Sequence, residues 1–303
     1  MEVEIKNIVK NFKDIRVLNN INLKTYSGDT LLIVGKNGAG KTTLLRLLLG
    51  LYKADSGTIT VNNVNVLDKK YNEIKKEIGF LNDNIGIFRD LTAWDNIEFF
   101  HRMYFPNANK ETRESDISNV LKKVDLYPHR NSKTDFFSRG MKQRLVIARA
   151  IVNKPKLLIL DEPHRGLDVE GKEMIKEVLG DFHKSGSTII INSHDLNDVQ
   201  ESITHLAFLY NSEIVCQGSY KDLINKFNES RYKLVVDKPQ VIKDLLSKQA
   251  FVKSVSSMNN ELIIELNGNV EQLSKWLYSQ SIPIHELVKM NDNLTTLYKK
   301  IIS

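Results

Sequence analysis

The hydrophobic positions of the chain follow two patterns, short continuous apolar runs and longer stretches in which apolar residues recur at helical spacing. Residues 30–34, 157–160 and 188–192 are runs of the first kind and predict buried strands. Residues 91–104 show the helical spacing, and a further helix is predicted over 169–184. Buried strands separated by helices are typical of an open α/β sheet, so we expect an α/β fold.

The first sixty residues are predicted to form strands around one turn. Residues 3–8 and 21–25 are rich in β-branched side chains, and residues 10–14 have the composition of a turn. Phe12 is placed in that turn. An aromatic side chain there could stack on an adenine ring or could be an ordinary core residue, and the sequence favours neither.

The last quarter of the chain has a pattern of its own. Its order of strand, helix, two strands, helix and strand is that of a split β-α-β unit, and a final helix is predicted from Leu294. We therefore expect domains at 1–227 and 228–303, the first with a helical subdomain at about 86–153. The second is expected to be a small α+β domain without a glycine loop, paired carboxylates at a strand end or metal-ligand spacing, and no chemistry is assigned to it.

A glycine-rich segment joins the apolar strand at 30–34 to the helix that follows. Its glycines let successive backbone N–H groups surround phosphate oxygens, and the helix N-terminus adds its dipole. The lysine near its end is predicted to reach the β- and γ-phosphates, and the next hydroxyl to ligate Mg²⁺. The segment follows the phosphate-loop spacing G-x-x-x-x-G-K-[ST] and consists of Gly35, Lys36, Asn37, Gly38, Ala39, Gly40, Lys41, Thr42 and Thr43.

Polar residues follow two further predicted strands. Asp161 and Glu162 come directly after 157–160, and His194 follows shortly after 188–192. Open α/β sheets bind ligands outside the carboxyl ends of their strands, so adjacent carboxylates there suit Mg²⁺ and the activation of water. Ser138 is predicted to be the N-cap of a helix that lasts to about residue 152.

Composition says more about the cellular compartment of the protein than about its function. The chain has 303 residues, 41% of them hydrophobic, and a net charge of +6 that is spread over scattered lysines and arginines, so no nucleic-acid partner is expected. A single cysteine, Cys216, excludes an intrachain disulfide and favours a reducing cytoplasm. We find neither a secretory signal nor an apolar stretch of about 20 residues, and we expect a cytoplasmic protein that does not cross a bilayer by itself.

Five motifs occur in the order found in the ATP-binding subunits of ABC transporters, and the first three quarters of the chain resembles such a subunit. The trailing domain is similar to that of subunits from multidrug, antibiotic or bacteriocin exporters of the ABC-2 kind. The resemblance implies ATP and Mg²⁺ as cofactors, a head-to-tail homodimer, and integral membrane permease subunits that hold the protein at the inner face of the membrane. The motifs occupy residues 35–43, 137–141, 158–163, 166–168 and 193–194.

The resemblance also assigns roles to individual residues. Asp161 would hold Mg²⁺, Glu162 would polarise the attacking water, and His194 would contact the γ-phosphate. Ser138 and the backbone of Gly140 would meet the γ-phosphate held by the opposite subunit, at a helix N-terminus. Because ATP would lie between two subunits, one cassette alone would be half a site.

Four positions depart from the family pattern. Arg139 lies in the motif at residues 137–141, the family's signature motif, at the predicted N-terminus of a helix. Its positive charge interacts unfavourably with the helix dipole there but would attract a nearby phosphate. His164 and Arg165 replace the usual Thr-Ser or Thr-Asn. Asp83 stands where the family usually has a glutamine that meets Mg²⁺ and the attacking water, although the amide could instead come from a neighbouring asparagine, Asn82 or Asn84.

Three classes of function are candidates for this chain. The first is an ATP-hydrolysing subunit that powers a separate membrane permease of an exporter, and it is favoured because the chain has one complete cassette and no predicted membrane-spanning segment. A soluble ABC-type ATPase that acts on a ribosome or a nucleic acid would usually have two fused cassettes or a coiled-coil insert, and this chain has one phosphate loop and no sustained heptads. The third class is a nucleotide-binding module that switches partners without hydrolysing ATP, and such a module would not need Glu162 as a base. We therefore predict the first class.

Overall fold

The computed structural model describes residues 1–82, 86–193, 202–227, 230–258, 261–290 and 300–301. By its internal contacts the chain divides into two compact units, Met1–Leu223 and Ile224–Ile301. The strands of the first unit are β1 Val3–Phe12, β2 Ile15–Thr25, β3 Thr30–Val34, β4 Ser56–Val61, β5 Val64–Asn65, β6 Ile78–Leu81, β7 Leu157–Asp161, β8 Thr188–Ser193, β9 His205–Tyr210 and β10 Glu213–Ser219. Its helices are α1 Lys41–Leu48, α2 Tyr71–Lys75, α3 Ala93–Tyr104, α4 Lys110–Lys123, α5 Arg139–Ile151 and α6 Val169–Lys184, and the unit boundary falls within α7, Tyr220–Phe227.

A sheet of six strands in the order β10-β9-β3-β8-β7-β6 forms the centre of the first unit. All neighbouring strands in it are parallel except β10, which pairs antiparallel with β9. Every residue of β3, β7 and β8 is buried, which explains why these strands have uninterrupted apolar sequences rather than alternating ones. The predicted α/β fold is confirmed.

A second, antiparallel sheet has the order β2-β1-β4-β5. The predicted strand at 3–8 and turn at 10–14 are wrong in extent, because β1 continues to Phe12 and the turn contains only Lys13 and Asp14. Phe12 pairs with Ile15 across the hairpin, and Lys13 has the positive φ of 52° that a tight turn requires. Backbone pairing with β2 therefore extends the strand through polar residues that the sequence pattern suggested for a loop.

Helices α3, α4 and α5 contact one another and form the helical part of this unit. Thr92 begins α3 with a capping box, in which its hydroxyl accepts from the N–H of Asp95 at 3.0 Å. Ser138 is the N-cap of α5, as predicted, and accepts from the N–H of Met141 at 3.1 Å. The backbone of α5 passes very close to β6, where Gly79 leaves room for it.

We expect Gly79→Ala to destabilise the first unit by about 1–3 kcal/mol or more, because an added Cβ would lie 2.0 Å from the carbonyl oxygen of Ala150 in α5. Gly180→Ala is the matched control. Gly180 lies inside α6 with no atom within 4 Å of an added Cβ, so alanine should stabilise the helix by about 0.5–1 kcal/mol. Urea unfolding of both variants measures the difference, and equal stability for Gly79→Ala and the wild type would contradict this packing.

The described elements of the second unit are β11 Arg231–Val236, α8 Pro239–Leu246, β12 Val252–Met258, β13 Glu261–Leu266, α9 Val270–Ser279 and β14 Ile284–Lys289. The four strands form an antiparallel sheet in the order β12-β13-β11-β14. Strands β11 and β13 bury every second residue against the helices, around Leu234, Leu262, Leu246 and Leu277. Leu294, the predicted start of a final helix, lies outside the described residues.

Within the part of the chain that the structure describes, we find no helix that combines the length and the apolar character needed to cross a membrane.

Candidate functional site

The glycine-rich segment lies between the end of β3 and the start of α1, as its sequence predicts. Gly40 is the N-cap of α1 and has a φ of 105°, and a Cβ there would lie 2.8 Å from the carbonyl oxygen of Val17. A Cβ on Gly35 would lie 2.5 Å from the carbonyl oxygen of Leu209. Both positions therefore require glycine, and the loop can present its backbone N–H groups together with the N-terminus of α1.

Lys41 is held inside this loop. Its side chain is only 6% exposed, and its Nζ donates to the carbonyl oxygens of Gly35 at 2.6 Å and Lys36 at 3.2 Å. Burial lowers the pKa of Lys41, while the carboxylates of Glu162 and Asp161 act in the opposite direction. Glu162 Oε1 lies 4.0 Å from the ammonium group. The site thus contains a fixed cation with anionic groups beside it.

Asp161 and Thr42 form the part of the site that fits a divalent metal. Asp161 is 2% exposed, and the Thr42 hydroxyl donates to its Oδ1 at 3.2 Å. Its Oδ2 is buried without a hydrogen-bond partner among the described residues, which is costly for a carboxylate oxygen and is relieved by a hard cation. The described residues contain no cluster of three or more His, Cys, Asp or Glu suited to a metal, so phosphate and water would have to complete the coordination.

Glu162 has an unusual backbone. Its φ is 50°, in the left-handed region, and its N–H donates to the side chain of Asn192 at 2.8 Å and to the carbonyl of Asn192 at 3.2 Å. Asn192 pairs with Asp161 across β7 and β8. Sequence reasoning did not single out Asn192, although a polar residue closing the buried run at 188–192 was a usable signal.

These groups surround one cavity of about 520 Å³. It brings most of the predicted loop residues together with the two predicted carboxylates, and it includes two residues that the sequence analysis did not assign to the site, Val17 and Arg165. Phe12, Ser138 and Gly140 are not among the described residues that line it. The lining residues are Val17, Asn37, Gly38, Gly40, Lys41, Thr42, Thr43, Asp161, Glu162 and Arg165.

Phe12 is 41% exposed, which excludes the interpretation as an ordinary core residue. Its ring packs edge-on against Tyr52, with centroids 5.5 Å apart, and the ammonium group of Lys10 lies 5.2 Å from its centroid. The contact between Phe12 and an adenine ring stays a prediction.

The motif at residues 137–141, which begins α5, contacts the loop that follows Glu162. The side chain of Arg139 lies against Gly166, where an added Cβ would come within 2.8 Å of its Nε. Farther along α5, Gln143 Nε2 donates to the carbonyl of Pro163 at 3.2 Å. These two contacts join the first half of α5 to the loop that carries Arg165.

Three predicted positions lie outside the described residues, namely Asp83, Asn84 and His194. Asn82, the other alternative for the metal-facing amide, is described and directly follows β6. The roles of all four residues stay predictions.

The chain matches a known family and several known proteins. The family described as ABC transporter matches residues 18–165. The lantibiotic transport ATP-binding protein SrtF of Streptococcus pyogenes is 34% identical over 218 residues, which cover 72% of this chain and 91% of that protein. The chain belongs to the ABC transporter family. This ABC chain is also similar to the glutamine transport ATP-binding protein GlnQ of Escherichia coli, with 34% identity over 224 residues, 73% of this chain and 93% of that protein.

A solved structure extends the comparison to the three-dimensional arrangement. The ATP-binding cassette MJ0796, in a dimeric post-hydrolysis state bound to ADP and Pi, matches with a TM-score of 0.67 and 28% identity. The match covers 72% of this chain and 98% of that one. The predictions of an ABC cassette fold and of ATPase activity are confirmed.

Proposed function

We propose that this ABC ATPase is the energy-supplying subunit of a membrane exporter and that hydrolysis occurs in the 520 Å³ cavity. The observation that carries the proposal is the convergence of Lys41, Thr42, Asp161 and Glu162 on that one cavity. Phosphoryl transfer depends mainly on positioning and charge stabilisation, and these residues supply both.

In this proposal the triphosphate would lie along the glycine-rich loop. The Lys41 ammonium would bind the β- and γ-phosphates, and Thr42 and Asp161 would hold Mg²⁺, which would supply positive charge to offset that of the phosphates. Glu162 accepts a proton from the attacking water. The hydrogen bonds from the Glu162 N–H to Asn192 hold the backbone of Glu162 in place, and Glu162 is among the residues that line the cavity. His194 and Asp83 are assigned to the γ-phosphate and to the metal from the family resemblance alone.

The proposed site is completed by a second copy of the chain. Ser138 and Gly140 are at the exposed N-terminal end of α5 and are not among the described residues that line the cavity of their own subunit. A head-to-tail homodimer would bring them to the γ-phosphate of the partner. The dimeric state of MJ0796 supports this arrangement.

An exposed aromatic cluster supports docking to a permease. Phe88 and Phe99 are 42% and 45% exposed, their ring centroids lie 5.0 Å apart, and Phe100 packs against both. Leu91 and Met103 are further exposed apolar side chains of the same segment. Grouped apolar side chains at a surface are typical of a protein contact. We place that contact at the inner face of the membrane.

Export rather than import is proposed from the trailing domain. The cassette alone is equally similar to proteins named for lantibiotic transport and for glutamine transport, so it does not distinguish direction or cargo. The second unit has the β-α-β-β-α-β order that resembles the domain following the cassette in ABC-2 exporters.

The permease contact can be tested with Phe99→Lys. We expect the full-length wild-type chain, crosslinked in membranes of its source cells, to yield one integral membrane protein, and Phe99→Lys to lose that product because a charge enters the apolar contact. Tyr26→Lys is the control, since Tyr26 is an exposed aromatic residue outside the cluster. ATPase activity of the purified chain should be unchanged in both variants. Crosslinking to ribosomal components instead would favour the soluble class of ABC ATPase.

A further inference from the structure

Four charged residues are among the described residues that line the cavity, and three of them have a role in the proposed mechanism. Lys41, Asp161 and Glu162 are accounted for, and Arg165 is not. Lys41 is buried and already donates to two loop carbonyls, whereas Arg165 belongs to another segment and has an exposed side chain. Arg165 is therefore a second cation at the cavity, and its side chain is exposed to solvent whereas that of Lys41 is buried.

The backbone fixes the origin of the Arg165 side chain. The N–H of Arg165 donates to the carbonyl of Glu162 at 3.2 Å, and the N–H of Leu167 donates to the carbonyl of His164 at 3.2 Å. Gly166, with a φ of 80°, follows directly and is covered by the side chain of Arg139. These turns place the backbone of Arg165 one turn beyond Glu162, and Arg165 is among the residues that line the cavity.

The other side chains show which phosphate Arg165 would meet. Thr42 and Asp161 would hold the metal, which would offset phosphate charge, and Glu162 would stand beside the water that attacks the γ-phosphate. The Glu162 end of the cavity thus receives the terminal phosphate of ATP. A γ-phosphate there brings negative charge toward the carboxylates of Asp161 and Glu162, and a nearby cation offsets the repulsion.

We propose that Arg165 binds the terminal phosphate of ATP within its own subunit and so gives the site a preference for ATP over ADP. The inference rests on the proposed nucleotide site. A guanidinium group suits this contact because its planar fork can donate two parallel hydrogen bonds to one phosphate. ADP ends at the β-phosphate, which lies in the loop around Lys41, so it does not reach Arg165.

The test compares affinities of the full-length chain for a non-hydrolysable ATP analogue and for ADP, both with Mg²⁺, by calorimetry. We expect Arg165→Asn to weaken binding of the analogue about 5- to 20-fold and binding of ADP less than about twofold. Arg165→Lys should be intermediate, because it keeps the charge and loses the fork. Raising the salt concentration should reduce the difference between the wild type and Arg165→Asn, since an exposed contact is screened.

Arg102→Asn is the matched control, because it removes the same charge from an exposed arginine that pairs with Glu98 on α3. It should leave both affinities unchanged. Equal weakening of analogue and ADP by Arg165→Asn, or no weakening of either, would overturn the inference. A folded wild type that binds neither nucleotide would instead refute the proposed function.

Discussion

Glu162→Gln is expected to reduce ATP turnover about 10²- to 10⁴-fold while leaving ATP bound, because the amide cannot accept the proton of the attacking water. The substitution preserves the size of the side chain and the two bonds from the residue 162 N–H to Asn192. Lys41, Thr42 and Asp161 keep their geometry, and one negative charge near the γ-phosphate is removed. ATP should therefore hold two subunits together, and a dimer should accumulate in size-exclusion chromatography with ATP and Mg²⁺.

Glu173→Gln provides the comparison for this experiment. Glu173 pairs with Lys176 on the exposed face of α6, so the same change of charge occurs away from the cavity. Its turnover and its elution volume should match those of the wild type. A Glu162→Gln chain that stays monomeric with undiminished activity would refute both the role of Glu162 as the base and the dimeric site.

The sequence predicted the buried elements best. The strands at 30–34 and 188–192 and the helix at 169–184 occur almost as expected. A strand that is buried on both faces is apolar at most positions, which makes it recognisable in the sequence. The glycine-rich loop was also predictable, since its spacing has a direct geometric cause. Gly35 and Gly40 are places where any side chain would collide with the backbone of another segment.

Features that depend on pairing between distant segments were not predictable. The extension of β1 to Phe12 depends on its hydrogen bonds to β2, and the contact of Asn192 with Glu162 depends on the register of β7 and β8. Arg165 was noted as a departure from the family pattern but not as a residue of the cavity. Its position follows from a turn that begins at the left-handed backbone of Glu162, which no local propensity of glutamate indicates.

Lys41→Met should cause a larger loss of nucleotide binding than Arg165→Asn and should affect ADP as well as ATP. The ammonium group of Lys41 is buried in the loop, and its proposed contact with the β-phosphate would be common to both nucleotides. Removing one partner of a desolvated charge contact costs about 2–5 kcal/mol, which corresponds to roughly 30- to several thousand-fold in affinity. Methionine has a similar length and no charge, so the shape of the loop is retained.

Calorimetry with both nucleotides measures this loss, and circular dichroism shows whether the variant is folded. Lys76→Met is the control, because Lys76 is an exposed lysine that pairs with Glu73 outside the cavity, and it should bind both nucleotides like the wild type. The pattern across variants is the decisive result. If Lys41→Met weakens ATP and ADP together while Arg165→Asn weakens ATP alone, then the two cations bind different phosphates. A folded Lys41→Met chain with unchanged affinity would mean that nucleotide binds elsewhere, because a triphosphate in this cavity cannot avoid the group that occupies the centre of its loop.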